Sequence, residues 1–254
     1  MIEIFIRRLP VTLGIMIISF AFVLWMIAIS LNQVHPFFPF ISDLGITQPG
    51  SSMFTFCLGF ASLLLLIFVI CRYRLTRYHL KNYNAEISWA NYSLATGLIM
   101  VVAMCTTGSI PNDEPKYIQI LHNIFAALLF TAVQFDILIE LFISRHLPNQ
   151  ARVSKLRLGI LIISLTFVTL FLTTMVISFQ HFPQSFLDKS LRLWWSSDDP
   201  GYIWHVISAI LEWLVIIMLG PHVMSYRSLF QTDINLNEKK KCTNYYNNDG
   251  NYIG

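Results

Sequence analysis

"LGILIISLTFVTLFLTTMVISF", residues 158–179, carries no charged side chain, and its polar members are Ser and Thr alone. At 1.5 Å per residue a helix of this length runs about 33 Å, enough to cross the roughly 30 Å hydrocarbon core of a bilayer. A helix of a soluble bundle needs a polar face toward water, and this stretch has none to offer. It predicts a transmembrane helix.

Five further runs of similar length stand in the chain: Val11–Leu31, Met53–Cys71, Ser88–Thr107, Ile118–Ile143 and Tyr202–Met224. The 254 residues are 55% apolar and 12% charged, against about 25% charged in an average soluble domain. The fold class that follows is an all-α membrane protein, a bundle of six transmembrane helices. Arg7 and Arg8 give the first run a basic flank like that of a signal peptide. The run is too long for a typical signal core and no A-x-A-like site follows it, so it reads as an uncleaved first span.

Lys and Arg in the connections set the orientation. If six spans alternate, the N-terminus, the connections after spans 2 and 4, and the tail share one side and hold fourteen basic residues. The other side holds three: Lys116, Lys189 and Arg192. This predicts both termini in the cytosol, N-in and C-in. His35–Ser52, Thr107–Tyr117 and Gln180–Gly201 then face the lumen or the exterior, with Asp43, Asp113, Glu114, Asp188, Asp198 and Asp199 among them. The basic side suits anionic lipid headgroups, so membrane lipids are the expected partners. A net charge of +3 arranged in this way gives no reason to expect nucleic-acid binding.

Local punctuation suggests helix starts. Pro10 suits the first helical position of span 1, Ser51 or Ser52 can cap span 2, and Asp199 with Pro200 can open span 6. Residues 1–230 read as one six-helix domain, and 231–254, rich in Asn, Lys and Tyr, as a disordered cytosolic tail. Cys57, Cys71, Cys105 and Cys242 show no metal-ligand spacing. Cys57 and Cys105 read as free thiols, and Cys71, beside Arg72, as a candidate for palmitoylation. No cofactor is expected.

Ionisable groups inside a span are costly and mark functional hypotheses. His122 lies about 6 Å into span 4 from its luminal end, and His205 about 5 Å into span 6. His205, Ser208 and Glu212 follow at i, i+3 and i+7 on one face, which puts Glu212 about 15 Å deep. His122, His205, Ser208 and Glu212 are therefore a candidate polar pocket, open to the lumen beneath Asp43, for a headgroup, a proton or an ion. The alternative is structural, with polar side chains hydrogen-bonding between helices. Zinc hydrolysis needs a third clear ligand, and neither HExxH nor GxSxG occurs. Asp136 and Glu140 form a second polar face, within reach of Arg145 or Lys155 as a boundary ion pair. Trp194, Trp195, Tyr202 and Trp204 suggest an interfacial belt.

Two stretches resemble the damage-regulated autophagy modulator (DRAM) family, within the wider Frag/DRAM/Sfk superfamily. The first is "HPFFPFISDLGITQPG", residues 35–50, with Pro39, Phe40, Ile41, Ser42, Asp43, Gly45 and Pro49, followed at the end of span 2 by Arg72-Tyr73-Arg74. The second is "LWWSSDDPGYIWHVISAILEW", residues 193–213, with Trp195, Asp199, Gly201, Tyr202, His205, Glu212 and Trp213 opening the last span. The similarity covers roughly residues 10–230. It implies promotion of autophagy from the lysosomal membrane without catalysis, through protein partners it does not identify. Relatives in the superfamily remodel GPI-anchor lipids in the Golgi or act at the plasma membrane. A lipid-handling protein or a proton-coupled transporter using the His/Glu pocket is therefore the alternative. The tail lacks the acidic dileucine of some relatives, and Tyr226-Arg227-Ser228-Leu229 is the remaining candidate sorting signal, with Tyr226 and Leu229 its reading residues.

The first loop is expected to be short and ordered. Pro36, Pro39 and Pro49 stiffen it, Gly45 and Gly50 allow turns, and Phe37, Phe38 and Phe40 dip toward the interface. Ser42 or Asp43 would cap a short helix or close the pocket.

Overall fold

The computed structural model describes residues 2–231 apart from 36, 114 and 149. The tail from residue 232, Cys242, Pro36 and Glu114 lie outside the described residues. Helices α1 (Ile2–Ser30), α2 (Gly50–Asn82), α3 (Ser88–Ser109), α4 (Lys116–His146), α5 (Ala151–His181) and α8 (Tyr202–Met224) are the spans. Two short helices, α6 (Pro183–Leu187) and α7 (Lys189–Leu193), sit between α5 and α8, and a 3₁₀ turn covers Ile41–Gly45. No strand occurs among the described residues.

Each span packs on the next in chain order, and α1 packs on α8, so the six form a closed ring. The α1–α8 crossing is close because Gly14 faces Gly220: a Cβ on Gly14 would stand 2.9 Å from the Gly220 carbonyl oxygen. Small residues permit this approach where lipid supplies no hydrophobic drive between helices. The core is continuous from Leu13 and Leu65 through Met100 and Ile137 to Val223. Large apolar side chains also cover the outside, with Val102, Phe135, Ile162 and Leu172 all exposed, as suits a lipid-facing surface.

The helices outrun the apolar runs. α2 has 33 residues, about 50 Å, and carries Arg72, Arg74, Arg77 and Lys81 within its last third. Arg72, Thr76 and Leu80 are buried at four-residue spacing while Arg74 and Arg77 point outward.

The expected helix starts differ from the observed ones. Pro10 lies inside α1, which begins at Ile2; a Pro here forfeits one bond to the carbonyl four residues back without ending the helix. Neither Ser51 nor Ser52 caps α2, which begins at Gly50. The turn before it already makes helical bonds, Ser51 N–H to Thr47 O (2.8 Å) and Met53 N–H to Pro49 O (3.1 Å). Asp199 does not cap α8. Its carboxylate accepts from the Ser196 N–H (2.8 Å) and hydroxyl (3.0 Å), closing the turn upstream. The residue that precedes the helix is Gly201 at φ +75°, a left-handed conformation that favours Gly.

Trp195 is not part of an interfacial belt. It is 2% exposed and packs on Phe182, Phe186 and His205, whereas Trp194 is 47% exposed. Cys57, Cys71 and Cys105 are free thiols, Cys57 buried and Cys105 exposed.

Candidate functional site

The first loop enters the bundle instead of lying over it. The Ile41 N–H donates to Glu212 Oε2 at 2.6 Å, and Trp213 Nε1 donates to the Pro39 carbonyl at 3.0 Å. Both acceptor and donor lie some ten residues into α8, about 15 Å from its start. Irregular backbone at such depth is tolerated where protein buries it and satisfies its polar groups. Phe40 is 5% exposed, wedged against His205 (ring centroids 4.8 Å) and Phe171 (6.4 Å). Phe38 stacks on Trp25, while Phe37 is exposed.

Neither Ser42 nor Asp43 caps the 3₁₀ turn, whose preceding residue is Phe40 and which has no side-chain cap. Asp43 Oδ1 instead accepts from Arg192 Nε at 2.9 Å. Arg192 Nη2 donates to the Asn112 carbonyl at 2.5 Å, and Asn112 Nδ2 reaches Ser42 Oγ at 3.2 Å. Three connections thus meet in one buried knot, Asp43 from the first, Asn112 from the second and Arg192 from the third. Burial pushes the Asp43 carboxyl up, with Arg192 pulling the other way.

Of the four candidate pocket residues, the structure brings two to a common space. His122 and Glu212 both line a cavity of about 90 Å³ on the inner side and one of about 180 Å³ on the outer side. His205 and Ser208 line neither. The Ser208 hydroxyl donates to the His205 carbonyl (2.8 Å), and the His205 ring lies 4.2 Å from that of Trp195. At the His205 level of α8, Phe40 and Trp195 fill the space. His122 Nδ1 lies 2.6 Å from the Ile110 carbonyl. Among the described residues no group of three His, Cys, Asp or Glu side chains stands ready to hold a metal.

A second polar centre occupies the basic end of the ring. Asp136 and Glu140 are fully buried, and neither pairs with Arg145 or Lys155. Arg72 donates to both Asp136 oxygens (2.7 and 2.9 Å), to Tyr226 Oη (3.0 Å) and to the Ser93 carbonyl (2.6 Å). Thr96 and His222 complete the shell of Asp136, at 2.8 and 2.9 Å. Glu140 accepts from Ser93 Oγ at 2.6 Å and stands 3.3 Å from Arg157 Nη1. Such charge-assisted bonds are strong ones. Arg72 and Arg157 read in the sequence as loop charges; the signal for Arg72 was its four-residue spacing with Thr76 and Leu80.

Tyr226 and Leu229 belong to this centre, not to an accessible sorting signal. Tyr226 is 0% exposed, and Leu229 is buried as well. The Tyr226 ring lies against Arg157 (4.4 Å) and Arg72 (5.4 Å); Tyr226 sits in the turn that ends α8, and Leu229 in the short helical stretch after it.

The whole described bundle, residues 5–229, matches the Frag1/DRAM/Sfk1/Cwh43P N-terminal domain. The chain belongs to this family. It is 26% identical over 219 residues to DNA damage-regulated autophagy modulator protein 1 of Mus musculus, covering 84% of this chain and 87% of that protein. It is 24% identical to the Homo sapiens protein 1, with the same coverage, and 22% identical over 205 residues to protein 2 of Rattus norvegicus, covering 80% and 76%. No solved structure matches it. The family match takes in both polar centres and the inserted loop. Arg72, Asp136 and Tyr226 therefore lie within the family's domain, as does the knot of Asp43, Asn112 and Arg192.

Proposed function

We propose that this chain is a multi-pass modulator of autophagy that acts from the lysosomal membrane without chemistry of its own. The observation that carries the reading is how its buried charges are used. Asp43, Asp136, Glu140, Arg72, Arg157 and Arg192 each hold one helix or loop to another. A fold that commits its charges to internal contacts acts through its surface and its partners, in keeping with the modulator names of its relatives. The same reading puts the basic end of the ring, with both termini, in the cytosol, following the asymmetry of Lys and Arg.

Two measurements test it. A tagged chain should colocalise with lysosomal markers, and cells lacking it should show reduced autophagic flux on starvation, restored by the parent chain. Residence in the Golgi or at the plasma membrane, or unchanged flux, would sink the proposal. For orientation, single cysteines at Ser51 and Ser190 should react with an impermeant maleimide only from the luminal side, and one at Asn82 only from the cytosol, on a background without the native cysteines. Labelling of all three from one side would overturn it.

A further inference from the structure

The cavities on either side of His122 and Glu212 share walls and line up as one candidate passage. The inner chamber, about 90 Å³, is walled by apolar side chains such as Ile17, Leu24, Ala61 and Met104. It shares Ser42, His122, Ala126, Phe130 and Glu212 with the middle chamber of about 180 Å³. The middle chamber shares Gln119, Asn123, Met175 and Phe186 with an outer one of about 320 Å³, which reaches Val176 and Phe179. Asn123, Val176 and Phe179 are exposed on the α4–α5 flank, so the passage opens sideways, where the bilayer lies.

Its unmet polar groups are few and uncharged. The Ile110 carbonyl can only accept, so His122 Nδ1 carries the proton and Nε2 of the neutral ring is an acceptor. Nε2 has no partner, although His122 is 1% exposed. Asn112, 7% exposed and lining the same chamber, has an unpartnered Oδ1. A buried acceptor left without a donor costs about 1–3 kcal/mol. Arg192 at the chamber wall is engaged by Asp43 and by the Asn112 carbonyl, and with Asp43 forms an ion pair. An anionic head would therefore meet two lone pairs and the Glu212 carboxyl, and a cationic head would meet Arg192. The Thr107 hydroxyl, which lines the inner chamber, is buried and unpartnered as well, so the unmet groups are two neutral acceptors and a hydroxyl, a set that a neutral hydroxyl-bearing head can meet.

We propose that this passage binds a single-chain, neutral, hydroxyl-headed lipid of the monoacylglycerol type, taken from the surrounding leaflet. Its acyl chain, too large for the inner chamber, runs out past Met175, Val176 and Phe179 to the surrounding leaflet. Its hydroxyls donate to His122 Nε2 and Asn112 Oδ1, and the rest of the head faces Gln119 and Asn123 at the lateral opening. This site stands apart from the role in autophagy, and either can fail without the other.

The test uses the full chain in phosphatidylcholine nanodiscs and three photoactivatable alkyne probes: a monoacylglycerol, a sterol and a lysophosphatidic acid. The monoacylglycerol probe should label peptides within residues 119–130 and 171–179, and unlabelled monoacylglycerol should compete. Ala126→Phe, which fills the middle chamber beside His122, should abolish that labelling. His122→Ala should weaken it about tenfold, the scale of one lost hydrogen bond to a buried group. Leu128→Phe, at an exposed position on the same helix, should leave it unchanged. Should Ala126→Phe melt early, Met175→Trp at the outer lip replaces it. Absent or non-competable labelling, labelling elsewhere in the chain, or labelling insensitive to the blocking variant would overturn the proposal. Stronger labelling by the sterol or the anionic probe would overturn the chemical class.

Discussion

Arg72 is the side chain on which the basic end of the ring depends, and replacing it offers the sharpest test of the fold. It is 1% exposed and makes four hydrogen bonds, two of them to Asp136. Its guanidinium also lies against the rings of Phe68 and Tyr226, at 5.7 and 5.4 Å. In Arg72→Met an unbranched apolar chain keeps those ring contacts and removes the charge. Asp136 would then retain Thr96 and His222, and Glu140 would retain Arg157 and Ser93. Asp136 would face no guanidinium, since Arg157 contacts Glu140 alone of the two carboxylates. Removing one partner of a buried pair costs about 3–5 kcal/mol, a large part of the 5–15 kcal/mol by which a typical protein is stable. The lower end applies if groups of the membrane-embedded unfolded chain find other partners. Arg72→Met with Asp136→Leu should recover about 1–3 kcal/mol of that loss, because the stranded charge goes with its partner. Equilibrium unfolding in mixed micelles, followed by Trp fluorescence, measures all the variants. If Arg72→Met lies within about 1 kcal/mol of the parent, or if the double variant loses the full sum of the two single ones, the centre does not hold the helices together.

Glu212→Gln keeps an acceptor for the Ile41 N–H and should fold like the parent, whereas Glu212→Leu strands that N–H and should lose about 1–3 kcal/mol in the same assay. Asp43→Ala should cost about 3 kcal/mol by unpairing buried Arg192. Asp113→Ala should cost under about 1 kcal/mol, because its pair with Lys189 is partly exposed; equal losses for the two would refute the knot. Because burial raises the folded-state pKa of Asp43 above its unfolded value, protonation favours the fold. The stability of the parent relative to Asp43→Asn should therefore rise as pH falls through the folded-state pKa, and a fall over a pH series in the same micelles would contradict that sign.

The six spans were legible because each rests on a local property, a run of apolar residues long enough to cross a bilayer. Helix ends were less so. The caps assigned to Ser51, Ser52 and Asp199 follow a sound preference, but α2 is started by a turn whose backbone already makes helical bonds, and Asp199 is engaged upstream. Nor does counting basic residues between apolar runs register that α2 continues past Cys71 and turns Arg72 inward. Its partner Asp136 lies 64 residues away, and no local pattern carries that pairing. Tyr226 misled for the same reason. Its four-residue stretch has the form of a sorting signal, yet the ring is buried in the turn after α8 against two guanidiniums.

The pocket is where sequence reasoning and structure part in the most instructive way. Depth along α8 sets His205 and Glu212 seven residues apart on one face, but a face is not a cavity until it is known what covers it. Here the cover is the first loop. Pro39 has no N–H to satisfy, its carbonyl is taken by Trp213, and the Ile41 N–H is taken by Glu212. With these backbone groups met by α8, the loop descends into the ring and carries Phe40 onto His205. Glu212 thereby acquires its partner from the loop, and His205 loses its access to open space. The unfilled volume is displaced toward α4 and α5, where His122 keeps a free acceptor. The loop motif and the residues opening the last span therefore form one structural unit, because Pro39 and Ile41 bind Trp213 and Glu212 directly.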